Sequence, residues 1–180
     1  MVFVNSNAVA PETDRPPAQR TAGLDVDRDL DLVLTFLNTC DAEDDTDVLA
    51  DAEEWRRWCA EHGLGEAPGT AAVREIRDSM RTAVLGRTAP DPAVPPSWPV
   101  RVALRSGVPV LAGTDALGSV LVAATHLVHT GHWDRIKICP ADNCLWAFYD
   151  RSRNRSRTWC SMRVCGNREK ARSWRERHSG

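Results

Sequence analysis

Four cysteines near the end of this 180-residue chain carry its clearest chemistry: Cys139 with Cys144, and Cys160 with Cys165. Each pair encloses four residues, and fifteen residues separate the pairs. Two short loops that each offer two thiolates suit a tetrahedral zinc ion, which sits about 2.3 Å from sulfur. Two disulfides or thiol redox chemistry are the alternatives. The opening stretch, Met1 to Ala10, has no basic segment leading into a sustained apolar core, so nothing suggests secretion. A cytoplasmic location is expected, and there paired cysteines more often bind metal than each other. The expected cofactor is Zn2+, one per chain. Cys40 and Cys59 stand outside the quartet, and the pattern assigns them no role.

The second feature is a concentration of arginine. Arg151, Arg153, Arg155 and Arg157 alternate with Ser152, Asn154 and Ser156 just before Cys160. Beyond Cys165, Arg168, Arg172 and Arg175 fall on one helical face, with Lys170 among them. A guanidinium fork matches phosphate oxygens or the outer edge of guanine. These eight residues are therefore the candidate nucleic-acid contacts, and duplex DNA is the expected partner. The first set suits a phosphate backbone and the second a major groove. A solvated loop is the plain alternative for the first set, and pairing with Asp150 is the alternative for Arg168. RNA could use the same charges together with Trp146, Tyr149 or Trp159.

The run from Asp150 to Lys170, D-R-S-R-N-R-S-R-T-W-C-S-M-R-V-C-G-N-R-E-K, closely resembles the CGNR zinc-finger family, and the resemblance covers about the last 45 residues. It implies both zinc and DNA. In that family the finger follows a domain called ABATE, found in bacterial stress-induced transcription regulators. Two upstream stretches are similar to that domain. One is L-V-L-T-F-L-N-T at residues 32–39; the other is an aromatic helix stopped by Gly63-Leu64.

The elements that must hold these residues follow from periodicity. Residues 1–22, with Pro16-Pro17 among polar residues, read as a disordered arm. Residues 23–134 read as a helical domain. Its first helix carries Leu30, Val33, Leu34 and Leu37 and is capped by Asn38. Asp41 to Asp47 reads as a solvated acidic loop. Asp51 and Glu54 open a second helix bearing Trp55, Trp58, Cys59 and His62, stopped by Gly63. The tryptophans read first as core, and any ligand pocket is expected among Trp55, Trp58 and the hairpin that follows. A third helix runs from near Thr70 to before Gly86. Five prolines between Pro90 and Pro99 form a connection. Val100 to Leu104 and Val108 to Leu111 make a hairpin around Ser106-Gly107, and Thr114 is expected to cap a fourth helix. His126, His129 and His132 drift around the end of that helix, so interaction with its dipole is a better reading than a metal site.

Residues 135–180 read as the finger. Ile136 and Ile138 form one strand, Leu145 to Tyr149 another. In a regular helix, side chains five apart point about 140° apart. Cys160 must therefore precede the last helix and Cys165 open it, with Trp174 packing inward. The fold class is α+β, mainly α: a helical N-terminal domain with a small β-hairpin, then a four-cysteine zinc finger of hairpin plus helix. The proline-rich connection and the charge distribution suggest that the two parts are separable units.

The net charge of −2 conceals a split. Met1 to Asp134 holds 11 basic and 21 acidic residues, whereas Arg135 to Gly180 holds 12 and 4. Such a tail suits a polyanion, or else it neutralises its own body. No apolar run is long enough for a membrane span. No G-x-S-x-G, Walker or H-E-x-x-H motif is present, so no enzyme is expected. The expected function is a zinc-containing DNA-binding transcription regulator. Its N-terminal domain would sense a small-molecule effector or mediate association, for instance as a homodimer. The alternative is a zinc-stabilised protein-interaction or thiol redox-sensing module without nucleic acid.

Overall fold

In the computed structural model, residues 25–86 and 96–178 are described. The N-terminal arm and most of the proline-rich connection lie outside them. The fold is mixed α/β, about half helical, with small hairpins and the cysteine cluster at its C-terminal side.

Two helices form the centre. α1 (Val26–Leu37) starts where the Asp25 carboxylate accepts the Arg28 N–H, and α4 (Ala116–His129) lies against it. α1 buries apolar residues on two sides. Phe36 joins Leu49 of the 3-10 turn Val48–Ala50 and Trp55, Cys59, Val73, Ile76, Leu117 and Val120, drawn from α2 (Ala52–Glu61), α3 (Thr70–Val84) and α4. Leu30, Val33 and Leu37 instead meet Ala123, Ala124 and Leu127 of α4. Asp51 caps α2 by accepting the N–H groups of Glu53 and Glu54, and Gly63 leaves it at φ +63°.

The acidic stretch after α1 is more than a solvated loop. It folds into β1 (Cys40–Asp41) and β2 (Thr46–Asp47), a two-stranded hairpin. Its anchor is Arg77 of α3, only 3% exposed, which donates to both Asp47 oxygens at 2.6 and 3.0 Å and to the Thr39 hydroxyl. A guanidinium can be buried here because the carboxylate receives its fork in bidentate fashion.

β3 (Val100–Arg105) and β4 (Val108–Gly113) pair antiparallel around Ser106 and Gly107. Both turn residues have positive φ, the primed turn that matches strand twist. The end of β4 runs into α4 at close quarters: a Cβ on Gly113 would lie 2.2 Å from the Ser119 nitrogen. The helix cap is Asp115, one residue later than expected. Its carboxylate accepts the Gly118 N–H and the Trp98 indole, while the Thr114 hydroxyl donates back to the Pro99 carbonyl.

The finger comprises β5 (Ile136–Ile138), β6 (Ala147–Tyr149), a π-helical turn (Met162–Gly166) and α5 (Asn167–His178). It is not hung on a linker. The prolines fall between α3 and β3, inside the body, and a short 3-10 turn at Trp133–Arg135 leads from α4 into β5. Ile136, Ile138 and Ala147 are buried in the same cluster as Leu30, Val33, Leu37 and Leu127. Each isoleucine so buried contributes on the order of 2 kcal/mol. Asn38 closes the seam. Its amide NH2 donates to the Ala147 carbonyl at 2.9 Å and its amide oxygen accepts the Ala147 N–H at 2.7 Å, which satisfies the outer edge of β6. Arg81 of α3 donates to the carbonyls of Leu37 and Leu145, tying body to finger a second time. α5, by contrast, has no buried residue. Trp174 does not pack inward; it is 57% exposed and stacks on His178.

Candidate metal centre

The hairpin supplies the first cysteine pair. Cys139 follows β5 directly, its N–H reaching the Trp146 carbonyl, and the chain then turns so that the Cys144 N–H reaches the Ala141 carbonyl. Leu145, at φ +51°, completes the turn into β6. The second pair depends on the π turn. The Gly166 N–H bonds the Ser161 carbonyl five residues back, so this turn is one residue wider than an α-turn. That extra width removes the angular mismatch of a five-residue spacing and brings Cys165 beside Cys160. Their sulfurs are 3.6 Å apart, and Cys144 to Cys160 is 3.5 Å.

All four sulfurs lie within 4.8 Å of one another, three of the residues are buried, and none is in a disulfide. A tetrahedron of thiolates about 2.3 Å from a central zinc has edges of about 3.8 Å, so the set fits that ion with little adjustment. Cys139, Cys144, Cys160 and Cys165 would hold it, and its chemistry there would be structural. Crowding divides the thiols. Burial raises Cys139, but N–H groups of Cys160 and Ala141 and the neighbouring thiols outweigh it and hold this thiol below its ordinary range. Burial pushes Cys165 up to about 11 and Cys160 higher still. Metal binding must therefore displace protons.

The residues around the cluster explain its motif. A Cβ on Gly166 would come within 2.7 Å of the Met162 sulfur and 3.2 Å of the Trp159 ring. The Asn167 side chain donates to the Arg163 carbonyl. Arg168 reaches across to the body, donating to Glu43 at 2.9 Å, rather than to Asp150. Its Nη1 is buried with no hydrogen-bond partner, and the Glu43 carboxylate, together with Cys165 and Cys144, strengthens its hold on its proton. A cation so placed would offset the excess negative charge of four thiolates around a divalent ion.

Asp150 accounts for the other side. Fully buried, it accepts the Lys137 ammonium at 2.7 Å and the N–H groups of Ser152 and Arg157 at 2.9 and 3.0 Å. Burial alone would raise this carboxyl; Lys137 and those donors hold it well below the usual carboxylate range. Lys137 also donates to the carbonyls of Arg155 and Arg157, so one ion pair fixes the backbone of the arginine loop. Lys137 did not stand out in the sequence, and Asp150 stood out only as an alternative partner for Arg168. The available signals were an aspartate two residues before a serine, an Asx-turn arrangement, and a lysine alternating with buried isoleucines on the opposite face.

The eight candidate nucleic-acid residues have unequal surroundings. Arg153, Arg155 and Lys170 are exposed and make no ion pair among the described residues. Arg151 is 75% exposed, over the Tyr149 ring and 3.9 Å from Asp27. Arg175 is exposed and donates to the Ala171 carbonyl. Arg172 pairs with Glu169 and Asp142, and Arg168 with Glu43. Arg157 is turned inward, donating to the carbonyls of Trp159 and Cys160 and lying over Phe148.

Of the two tryptophans placed in a pocket, Trp55 is corrected: it is 1% exposed, packed in the core with its indole N–H on the Pro68 carbonyl. Trp58 does line a cleft of about 560 Å3, shared with β6 and the arginine loop instead of the β3–β4 hairpin. That hairpin overhangs a different cleft, of about 850 Å3. The histidines part company: His126 meets Asp29, His129 the Thr125 carbonyl and His132 the Tyr149 hydroxyl.

A hairpin, a wide turn and a helix closing on four cysteines are the parts of a zinc finger, here built onto a helical body. Comparison with known families agrees. The model of the CGNR zinc finger matches residues 135–178, and the ABATE model, described as "Putative stress-induced transcription regulator", matches residues 30–139. The chain belongs to the ABATE family and ends in a CGNR zinc finger. The two matches overlap at residues 135–139, which include β5. No curated protein matches the chain. Among the described residues, no helix is long and apolar enough to cross a membrane.

Proposed function

We propose that this protein is a DNA-binding transcription regulator, without enzymatic activity, whose finger is held by one zinc ion and grips the phosphate backbone of a duplex through the arginine loop. The carrying observation is the loop itself. The Lys137–Asp150 pair fixes its backbone, while Arg153 and Arg155 point their unpaired charge at solvent. Fixed backbone under free cations is what phosphate contact needs, because the ordering cost is met before DNA arrives. α5 supports the same reading, since it stands clear of the core with Lys170 and Arg175 exposed. Arg157, Arg168 and Arg172 hold the finger together in this reading and are not its DNA contacts. The body is its sensing part.

The test is a salt series on the full-length, zinc-loaded chain with a labelled duplex. Each phosphate contact steepens the fall of log affinity with log salt by about 0.9. Arg153→Ala with Arg155→Ala should flatten that slope by roughly two contacts and weaken all sequences alike. No duplex retention at low salt would overturn the reading.

A further inference from the structure

The cleft beside Trp58 lies where body and finger meet, and its chemistry is selective. Its body wall comes from α1 and α2, its finger wall from β6 and the arginine loop. At about 560 Å3 it is within the usual range of small-molecule sites. Three observations restrict what it could hold.

First, no aspartate or glutamate lines it, although the body carries 21 acidic residues through Asp134. The cleft under the β3–β4 hairpin, in contrast, includes Asp25, Asp27 and Asp29. Second, most neutral polar groups of the lining are already committed inside the fold. Both ends of the Asn38 amide hold Ala147, the Thr35 and Thr39 hydroxyls donate to carbonyls of α1, and the His62 Nδ1 meets the Trp58 carbonyl. Third, aromatic surface remains. Trp58 is half-buried and lines the cleft while its ring stacks on Trp55 at 5.1 Å and on His62 at 4.0 Å, and Trp146 is 38% exposed. At the rim, Arg157 is tied to Trp159 and Cys160, leaving Arg151 as the exposed cation, with Asp27 as a distant partner at 3.9 Å.

We infer that this cleft is a binding site for a planar aromatic anion of one or two rings, stacked on the finger's Trp146 and packed against the body's Trp58 and His62, with its charge on Arg151. Rings supply what the Trp146 indole face prefers, and one anionic group supplies Arg151 with a closer partner than Asp27. Such a ligand touches both halves at once. It also engages an arginine of the loop assigned to phosphate, so ligand and DNA would draw on the same cation, and coupling between them is reciprocal. This deepens the sensing half of the proposed function, and its test needs no DNA.

The probes are 1-naphthoate and its neutral counterpart 1-naphthylmethanol, titrated by calorimetry into the full-length, zinc-loaded chain. The expected result is saturable naphthoate binding at submillimolar concentration, with weaker binding of the alcohol. Arg151→Gln, at an exposed position, should weaken naphthoate roughly tenfold and leave the alcohol unchanged. Trp146→Ser should weaken both, and Trp58→Leu likewise, with circular dichroism confirming that each variant is folded. Absence of naphthoate binding at millimolar concentration overturns the inference. So does equal naphthoate affinity in wild type and Arg151→Gln, or indifference to the folded Trp146→Ser variant. In each of those cases the salt series on DNA still stands or falls separately.

Discussion

Asp150 has more bonds to make than any other carboxylate of the finger, and it makes them without contact with solvent. Its partners favour the charged form, so its folded pKa lies below the value near 3.9 of an unfolded chain. The stability it supplies is therefore complete above about pH 4 and is lost as pH falls through the depressed folded value. Asp150→Asn removes that dependence and strands the Lys137 ammonium. A lower melting temperature at pH 7 is expected, together with faster amide exchange at Ser152 and Arg157. Cys59 behaves in the opposite sense. It is 2% exposed, and burial pushes its thiol up to about 11. The stability that rests on its neutral form is complete below about pH 8.5 and is lost as pH rises toward the folded value. Iodoacetamide at pH 8 should accordingly modify the half-buried Cys40 well before Cys59, as peptide mapping of the zinc-loaded protein would show.

Among the elements, β6 depends on one residue at the end of α1, and β4 on the absence of a side chain at its own last residue. β6 is three residues long and is bonded on one side by β5 and on the other by Asn38. Asn38→Ala leaves the Ala147 N–H and carbonyl without partners and should cost about 1–3 kcal/mol in denaturant unfolding. Asn38→Asp keeps the acceptor for the N–H but sets a carboxylate against the carbonyl, so it should not restore the loss. At the end of β4, Gly113→Ala drives a methyl into the first turn of α4 and should cost about 1–3 kcal/mol or more.

The elements themselves were largely legible. Helices α1 to α4 and the longer hairpin follow from apolar spacing, caps and stop residues, because those signals are local; α5 follows from the cysteine spacing instead. Asn38 was readable as a helix cap, which it is, but its hold on Ala147 spans 109 residues and leaves no trace in spacing. The cysteine quartet was legible as a set, since ligand spacing is itself local arithmetic; the π turn that makes it close was not. Arg77 was missed, and Asp150 was given the wrong partner in Arg168, for a related reason. A charged residue is read as solvated until the partner that buries it is known, and both partners come from other elements. Trp55 and Trp58 sit one helical turn apart with the same residue type, yet only the packing of α3 and α4 separates core from cleft.

At the scale of the whole molecule, the strands beside the cysteine cluster also belong to the core of the body. Elemental analysis should find about one zinc per chain. Because Ile136, Ile138 and Ala147 belong to the cluster that contains Leu30, Val33 and Leu127, chelation should not leave an intact body beside an unravelled finger. Thermal unfolding should instead show a single transition, moved down by chelator and restored by added Zn2+. Two resolved transitions, with the upper one indifferent to metal, would argue against a shared core. Cys144→Ser should reproduce the chelated midpoint and make it insensitive to zinc.

The clamp at Ala147 bears on how such chains can exchange parts. A hybrid that joins this body to another finger just before Arg135 keeps the peptide connection but inherits foreign residues at 136, 138 and 147. It fits only if the incoming strand presents two side chains of isoleucine size to α1 and α4, with a small one opposite Asn38. Compatibility between a body and a finger is thus written on facing surfaces about a hundred residues apart, so a crossover that separates Asn38 from its matching strand breeds misfits even when the cysteines are perfect.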